Sequence, residues 1–559
     1  MKVDRIIKNA KVFTSDVKNL NASAFAVKDG KFVYVGDEAG LKDYDGEVVD
    51  MGGKFIMPAV MDSHIHIGVP ISTEYGRKRD FIECRNKKEC LDFVKAGIAK
   101  NSDAKSYSFS LSEPCLGGEK LTRYDLDAVC PDKELLIIEG EFHSGWANSV
   151  LLKNNHVNAD TPDIAPGLSF YERDENGEPT GYMFEMTLIP FAMEGANDIT
   201  DEQIDKSLRR YAEYCRKMGI CAVFEAGTPG GPEYHERVYK LIRKLDRQGE
   251  WPVYVDGSYS ICRHVDLERC LETLRHYRDT FNEGNMRFNT LKIMMDGTLS
   301  IHTASLLTPY ADKNTSGGHL FTSDEMADMI EKLNAEGFNL HAHTVGEAAS
   351  RAVLDGVEKA RRKLGDALKS QVTCAHLEVQ HPEDIQRFAA LGVHANFTPW
   401  WHAGGGSGGG GNFAQMKKLL GEDRASRMYA SRSVWDSGAN VCWSSDNADY
   451  DEGMLQWSPY LGMEGGMTRE YTRETNLEEV EKLYEPVQPA SECMTHEQML
   501  LGYTINNARQ MCIADRKGSI EAGKDADYLI FDEDLTSMDP HKFSHLEPKQ
   551  VYFAGKQVK

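Results

Sequence analysis

Two histidines one residue apart, His64 and His66, close the segment Pro58-Ala59-Val60-Met61-Asp62-Ser63-His64-Ile65-His66. In an extended strand, residues i and i+2 point to the same side, so both imidazoles can aim at one metal ion. Alone, a His-x-His is weak evidence, because two surface histidines are commoner than a metal site. Here it opens a series. Lys292 stands in Thr290-Leu291-Lys292-Ile293-Met294-Met295-Asp296-Gly297, and His341 and His343 follow Gly337-Phe338-Asn339-Leu340. His376 ends Gln371-Val372-Thr373-Cys374-Ala375, and Asp446 ends Ala439-Asn440-Val441-Cys442-Trp443-Ser444-Ser445. Each is of a type that binds hard or borderline divalent metals, and each falls where a strand would run out.

The elements that must position these residues alternate. Strand-like runs lie at about 58–64, 219–225, 252–257, 290–295, 338–343, 372–376, 392–398 and 440–446, with amphipathic helical stretches between them from the second onward. Eight strand–helix alternations predict an α/β fold, a (β/α)8 barrel, whose functional residues collect at the C-terminal strand ends. The first segment, 1–57, reads as short strands, including a hairpin over 23–36 turning at Asp29-Gly30. The last, 515–559, holds strand-like runs at 527–532 and 550–556. Neither end can bury a sheet face alone, so the two are expected to combine into a small β-sandwich around a barrel spanning 58–514. The interval 67–210 is too long for one βα unit and carries its own hairpin around Asn176-Gly177. It reads as a cap inserted at the catalytic mouth after the first barrel strand, or else as scaffolding on the barrel wall. The Gly/Ser run 404–411 follows the seventh strand, as a loop at the mouth or a stand-in for a longer natural one.

A chain of 559 residues, 41% hydrophobic and 27% charged, is long enough for one large enzyme domain with a smaller appendage. Its net charge of −23 argues against nucleic acid or an anionic membrane as partner. No run reaches the roughly 18 apolar residues of a spanning helix. The N-terminus lacks the pattern of a signal peptide, so a cytoplasmic location is the default. The 12 cysteines are scattered without a Cys-x-x-Cys pair, as suits reduced thiols. The partner expected is a small-molecule substrate; the oligomeric state is left open, a homodimer being the commonest arrangement for soluble enzymes.

Taken together, the residues resemble the amidohydrolase superfamily, in its branch of YtcJ-like proteins and N-substituted formamide deformylases. The motifs are Asp62-Ser63-His64-Ile65-His66, His143-Ser144-Gly145-Trp146-Ala147-Asn148-Ser149, Lys292 with Asp296-Gly297-Thr298-Leu299-Ser300, His343-Thr344-Val345-Gly346-Glu347, His376, Ser444-Ser445-Asp446, and the return at 518–527. The resemblance implies a barrel with a terminal β-sandwich and two divalent metals, zinc as a rule, bridged by carbamylated Lys292. It implies that His64, His66 and Asp446 hold the first metal and His343 and His376 the second. The chain departs from the pattern at Glu347, where an Asp is usual, at His341, and at Thr398-Pro399-Trp400-Trp401-His402.

The chemistry expected is hydrolysis of a carbon–nitrogen bond, amide or formamide, by a metal-bridging hydroxide. Asp446 would act as general base and then acid. A buried Lys292 tends to lose its proton, and the neutral amine can react with carbon dioxide to give a bridging carbamate; unmodified, it would be a salt-bridged lysine. His143 is the candidate oxyanion donor. Trp146, Trp400, Trp401 and His402 are candidate pocket residues, with core packing as the competing reading for the tryptophans at 400 and 401. Glu225 reads as a carboxylate behind the ligands or an ion-pair partner, and His341 as a support for His343 or filler of the barrel. The rival functions are a mononuclear deaminase- or isomerase-like enzyme and a non-catalytic binding protein on the same scaffold.

Overall fold

The computed structural model describes residues 1–75, 80–82, 84–111, 116–140, 142–193, 198–227, 232–403, 413–447, 457–470 and 489–559. The run 404–411 lies outside the described residues. Eight parallel strands form one sheet whose order follows the chain. They are β1 Val60–Ile65, β2 Ile220–Glu225, β3 Tyr254–Ile261, β4 Met286–Met294, β5 Asn339–Thr344, β6 Val372–His376, β7 His394–Phe397 and β8 Val441–Trp443. All eight expected runs are present.

The sequence reason for the alternation is visible at the helix ends. Helix Asp201–Met218 starts at a Thr200 capping box with Gln203 and stops at Gly219, whose φ of 78° puts it in the left-handed region. The chain then enters β2 directly. Gly337 and Gly392 end helices Ser323–Glu336 and Pro382–Leu391 in the same way before β5 and β7. A left-handed cap costs a glycine no side-chain clash, so it reverses the chain in a minimum of residues.

One strand is shorter than the sequence implies. The run 440–446 is strand only to Trp443. Beyond it, Ser445 N–H donates to the Asp62 carboxylate at 3.0 Å and Asp446 N–H to the His64 carbonyl at 2.9 Å. These bonds draw the chain across to β1 and nearly close the barrel, at the cost of ending the ladder to β7.

Residues from both termini build the adjoining sheets. One holds Lys31–Gly36, Ala24–Lys28, Lys2–Lys8 and Asp45–Asp50, in that order. The other interleaves the two ends of the chain: 556–557, Gln550–Phe553, Tyr528–Phe531, Phe55–Pro58, Lys11–Phe13 and Asn21–Ala22. Ile7, Phe25, Phe32, Ile56, Tyr528 and Ile530 pack in one apolar cluster between them.

The long interval after β1 has a six-stranded mixed sheet of its own, ordered Tyr171–Arg173, Pro179–Phe184, Ser144–Ala147, Glu134–Glu139, Ser106–Leu111 and Asp80–Phe81. The expected hairpin is its first pair, although the second strand stops at Phe184, before Glu185. No described helix is long and apolar enough to cross a membrane.

Candidate metal centre

His64 lies near the end of β1, with His66 just beyond it. Lys292 lies in β4, His341 and His343 in β5, and His376 is the last residue of β6. Register pairs Lys292 with His341 across β4 and β5. Two of the candidate residues occupy strained backbone: His376 has φ of 77° and Asp446 of 50°. A non-glycine residue in that region costs of order 1–3 kcal/mol, which the surrounding structure must offset. At Asp446 the bond to the His64 carbonyl, already described, holds the conformation.

His64, His66 and Asp446 each offer a ligand atom, and these atoms lie within 4.8 Å of one another. Asp446 Oδ1 stands 3.4 Å from His64 Nε2 and 3.3 Å from His66 Nε2, and its Oδ2 stands 3.7 Å from His376 Nδ1. Lys292 Nζ is 3.1 Å from His64 Nε2. The His343 and His376 rings stack at a tilt, with centroids 4.3 Å apart. Both ring nitrogens of His376 are buried with no hydrogen-bond partner. A buried imidazole with neither nitrogen satisfied is costly unless a ligand takes a lone pair, so the residues fit a metal ion.

The bonds behind the candidate ligands orient them. His66 Nδ1–H donates to the Gly227 carbonyl, which leaves Nε2 for the centre. His341 Nε2 meets His64 Nδ1 at 2.9 Å. For His64 to offer Nε2 to a metal, its Nδ1–H must be the donor in that bond. His341 therefore supports His64, not His343, while stacking on Phe224 with centroids 4.5 Å apart. Glu225, fully buried, accepts the Ile67 N–H at 2.6 Å and so anchors the chain directly after His66. Burial, reinforced by Lys292 and the neighbouring imidazoles, holds His64, His341, His343 and His376 well below the usual histidine range. All four are neutral, the form that coordinates metals. Burial also draws Lys292 down to about 8, although the Asp446 and Glu225 carboxylates oppose it.

From the insertion, His143 reaches the same face, its ring centroid 6.2 Å from that of His343. Its Nδ1 meets Glu185 Oε2 at 2.6 Å. Burial disfavours the charged ring, but the nearby carboxylates, Glu185 foremost with Glu139 and Asp446 behind it, together outweigh this and raise the His143 pKa above its ordinary value.

The family model for the amidohydrolase family matches residues 47–559. The chain belongs to the amidohydrolase family. With that it is a hydrolase of carbon–nitrogen bonds on small molecules. An N-substituted formamide deformylase of Arthrobacter pascens is 26% identical over 99% of this chain and 97% of its own. The exoenzymes regulatory protein AepA of Pectobacterium carotovorum is 28% identical over 71% of this chain and 85% of its own. In fold, this amidohydrolase is similar to an uncharacterized metal-dependent hydrolase of Pyrococcus horikoshii, with a TM-score of 0.65, 21% identity, and coverage of 96% and 99% of the two chains.

Not every expected pocket residue of the amidohydrolase gathers at the histidines. Trp401 stacks on His376 at 5.3 Å, and Trp400 Nε1–H donates to the Ser445 carbonyl at 2.8 Å, so both adjoin the cluster. Trp146 instead stacks on Tyr182 at 4.6 Å inside the core of the insertion, with Leu135 and Ile137. His402 is fully buried among Tyr429, Phe397 and Trp443. For those two, apolar packing decides the position. Sequence reasoning assigns no role to Glu185, and it places Asp296 in a motif without assigning it one. Asp296, fully buried, accepts the N–H groups of Ser305, Val345 and Gly346 at 2.8–2.9 Å, tying the segment after β4 to the end of β5. The signal for Glu185 was available: the Asn176-Gly177 hairpin carries it to the end of a strand beside His143.

Proposed function

We propose that this amidohydrolase cleaves the carbon–nitrogen bond of an amide, with N-substituted formamides as the first class to try because a full-length relative is named for them. The observation that carries the reading is the convergence of His64, His66 and Asp446 beside a buried lysine whose pKa burial lowers to about 8. Imidazole and carboxylate donors suit zinc. His64, His66 and Asp446 would hold one ion, and His343 and His376 a second. Lys292 would lie between them as a carbamate, its nitrogen bonded to the carbon of carbon dioxide with loss of a proton. Ions bound there would polarise the substrate carbonyl and acidify a water.

Asp446 takes the proton of the attacking water and hands it to the departing nitrogen, as the C–O bond forms and the C–N bond breaks. His143 donates from Nε2 to the carbonyl oxygen as negative charge develops on it. Trp400 and Trp401 border the space for the nitrogen substituent. The insertion acts as a cap, since it brings His143 to the strand ends. A one-metal enzyme is the second reading, favoured by the fact that the tight ligand group among the described residues has three members only.

Elemental mass spectrometry on natively purified protein, beside Lys292→Ala, separates the two. About two metals per chain, falling sharply in the variant, is the result expected of a bridged site. About one metal, unchanged in the variant, favours the mononuclear enzyme, and none after loading with zinc and bicarbonate overturns both.

A further inference from the structure

Glu185 lies outside the ligand set, yet its surroundings are built around it. It is 1% exposed and sits immediately after strand Pro179–Phe184, with φ of 54° in the left-handed region. That strand pairs with Ser144–Ala147, so His143 and Glu185 flank the same end of one antiparallel pair. Two bonds join them: Glu185 N–H donates to the His143 carbonyl at 2.6 Å, and the carboxylate Oε2 meets His143 Nδ1 at 2.6 Å. The other carboxylate oxygen, Oε1, accepts from Thr303 Oγ1 at 2.6 Å. Thr303 belongs to the barrel segment after β4, so the carboxylate links the insertion to the barrel.

Gly297 makes the space for that link. A Cβ there would stand 2.1 Å from Glu185 Oε1 and 2.2 Å from Thr303 Oγ1. Any side chain at 297 would push the carboxylate away from both partners. The glycine of Asp296-Gly297 is thus explained by close approach of a buried acid.

We propose that Glu185 is a positioning residue: its carboxylate, anchored by Thr303 and admitted by Gly297, fixes His143 with Nδ1 as donor and turns Nε2 toward the strand-end histidines. This rests on the reading of His143 under Proposed function. A carboxylate on Nδ1–H fixes the ring plane and stabilises the doubly protonated ring, in which Nε2–H is also a donor, as the carboxylate behind a catalytic histidine does for its imidazolium. Glu185 would hold His143 in this way whichever substrate enters. The insertion thereby contributes an active-site group whose aim is set jointly by its own hairpin and by a barrel loop.

The test uses the full-length, metal-loaded protein, with Glu185→Gln, Glu185→Asp, Thr303→Val and His143→Gln. The first readout is the proton spectrum of the imidazole N–H groups. The wild type should show a far-downfield proton that His143→Gln removes, which assigns it, and that Glu185→Gln also removes or moves strongly upfield. The second is steady-state release of formate from a panel of N-alkyl and N-aryl formamides. Glu185→Gln should lower kcat about 100-fold with KM within about twofold, the size of effect expected when a reacting group is misplaced by about 1 Å. Glu185→Asp should restore part of kcat and of the downfield proton. Thr303→Val should fall between wild type and Glu185→Gln, and it serves in place of Glu185→Gln if that variant does not fold. A downfield proton indifferent to both the Glu185 and Thr303 substitutions, or a kcat unchanged by them in an active enzyme, overturns the proposal. If the wild type hydrolyses no formamide while the proton behaves as stated, the substrate reading fails and the positioning role stands.

Discussion

A histidine becomes a metal ligand through the nitrogen it does not use elsewhere, and here the neighbours make that choice. His341 occupies Nδ1 of His64, and the Gly227 carbonyl occupies Nδ1 of His66. Replacing His341 by Leu removes the acceptor while keeping an apolar body against Phe224. We expect metal affinity to fall about 10- to 100-fold, the usual effect of losing a ligand's hydrogen-bond partner, as measured by competition with a chelator. A second effect at this scale is titration. His394 is buried at the start of β7, where Nε2–H donates to Gln371 and Nδ1 accepts from Asn440. Burial, with help from Arg509, lowers it from 6.5 to about 4. Below pH 6.5 the unfolded chain takes up a proton that the folded chain refuses, so this group's contribution is present above 6.5 and lost as pH falls toward 4. His394→Gln should therefore flatten the acid limb of stability by about 1.4 kcal/mol per pH unit in that window, read from urea midpoints.

At the scale of elements, short connections carry the precision. Asp296 holds three backbone N–H groups that would otherwise be buried donors without acceptors. Asp296→Ala should destabilise the fold by about 3 kcal/mol or more, at about 1 kcal/mol or more per orphaned donor. Hydrogen exchange should rise selectively at Ser305, Val345 and Gly346; unchanged protection there would count against the clamp. Gly219 combines a left-handed φ with close packing, since a Cβ would lie 2.3 Å from Leu529 Cδ2 on strand Tyr528–Phe531. Gly219→Ala should cost more than the roughly 1 kcal/mol of a strained cap alone, measured by denaturant unfolding, because it also disturbs the terminal sheet.

At the scale of the whole molecule, the described residues form three further sheets beside the barrel, and the junctions between segments are specific. Strand Phe55–Pro58 pairs with Tyr528–Phe531, so the chain's last strands complete a sheet that its first residues begin. Ala59 N–H then donates to Asp527, and β1 starts at Val60, which places His64 a fixed distance from that junction. Lys517, 8% exposed, pairs with Asp527, and Asp525 lies 3.5 Å from the same ammonium. Such a buried ion pair is weak evidence for net stability but is costly to break by removing one partner. Lys517→Met is accordingly expected to lower the unfolding midpoint, whereas replacing Lys517 and Asp527 together by apolar residues should recover much of the loss.

The amino-acid sequence by itself determined the architecture and the identities of the metal-binding candidates. Strand–helix alternation is written in local periodicity, and residues at the ends of apolar runs in a parallel barrel have one face on which to meet. His64, His66, Lys292, His343, His376 and Asp446 could be named because each closes or lies in such a run. What the tertiary structure alone decided are contacts between segments far apart in the chain. The packed fold sets His341 against His64, whereas periodicity carries no information on which histidine faces which and allows that residue as a support for His343 or as filler of the barrel. Nor could it separate Trp401 beside His376 from Trp146 in the core of the insertion, because both are aromatic residues in apolar surroundings. Glu185 and Thr303 lie 118 positions apart, and the bond between them exists because a hairpin and a barrel loop converge beside Gly297. Side-chain chemistry sets which partners are possible; only the packed fold brings them within 3 Å.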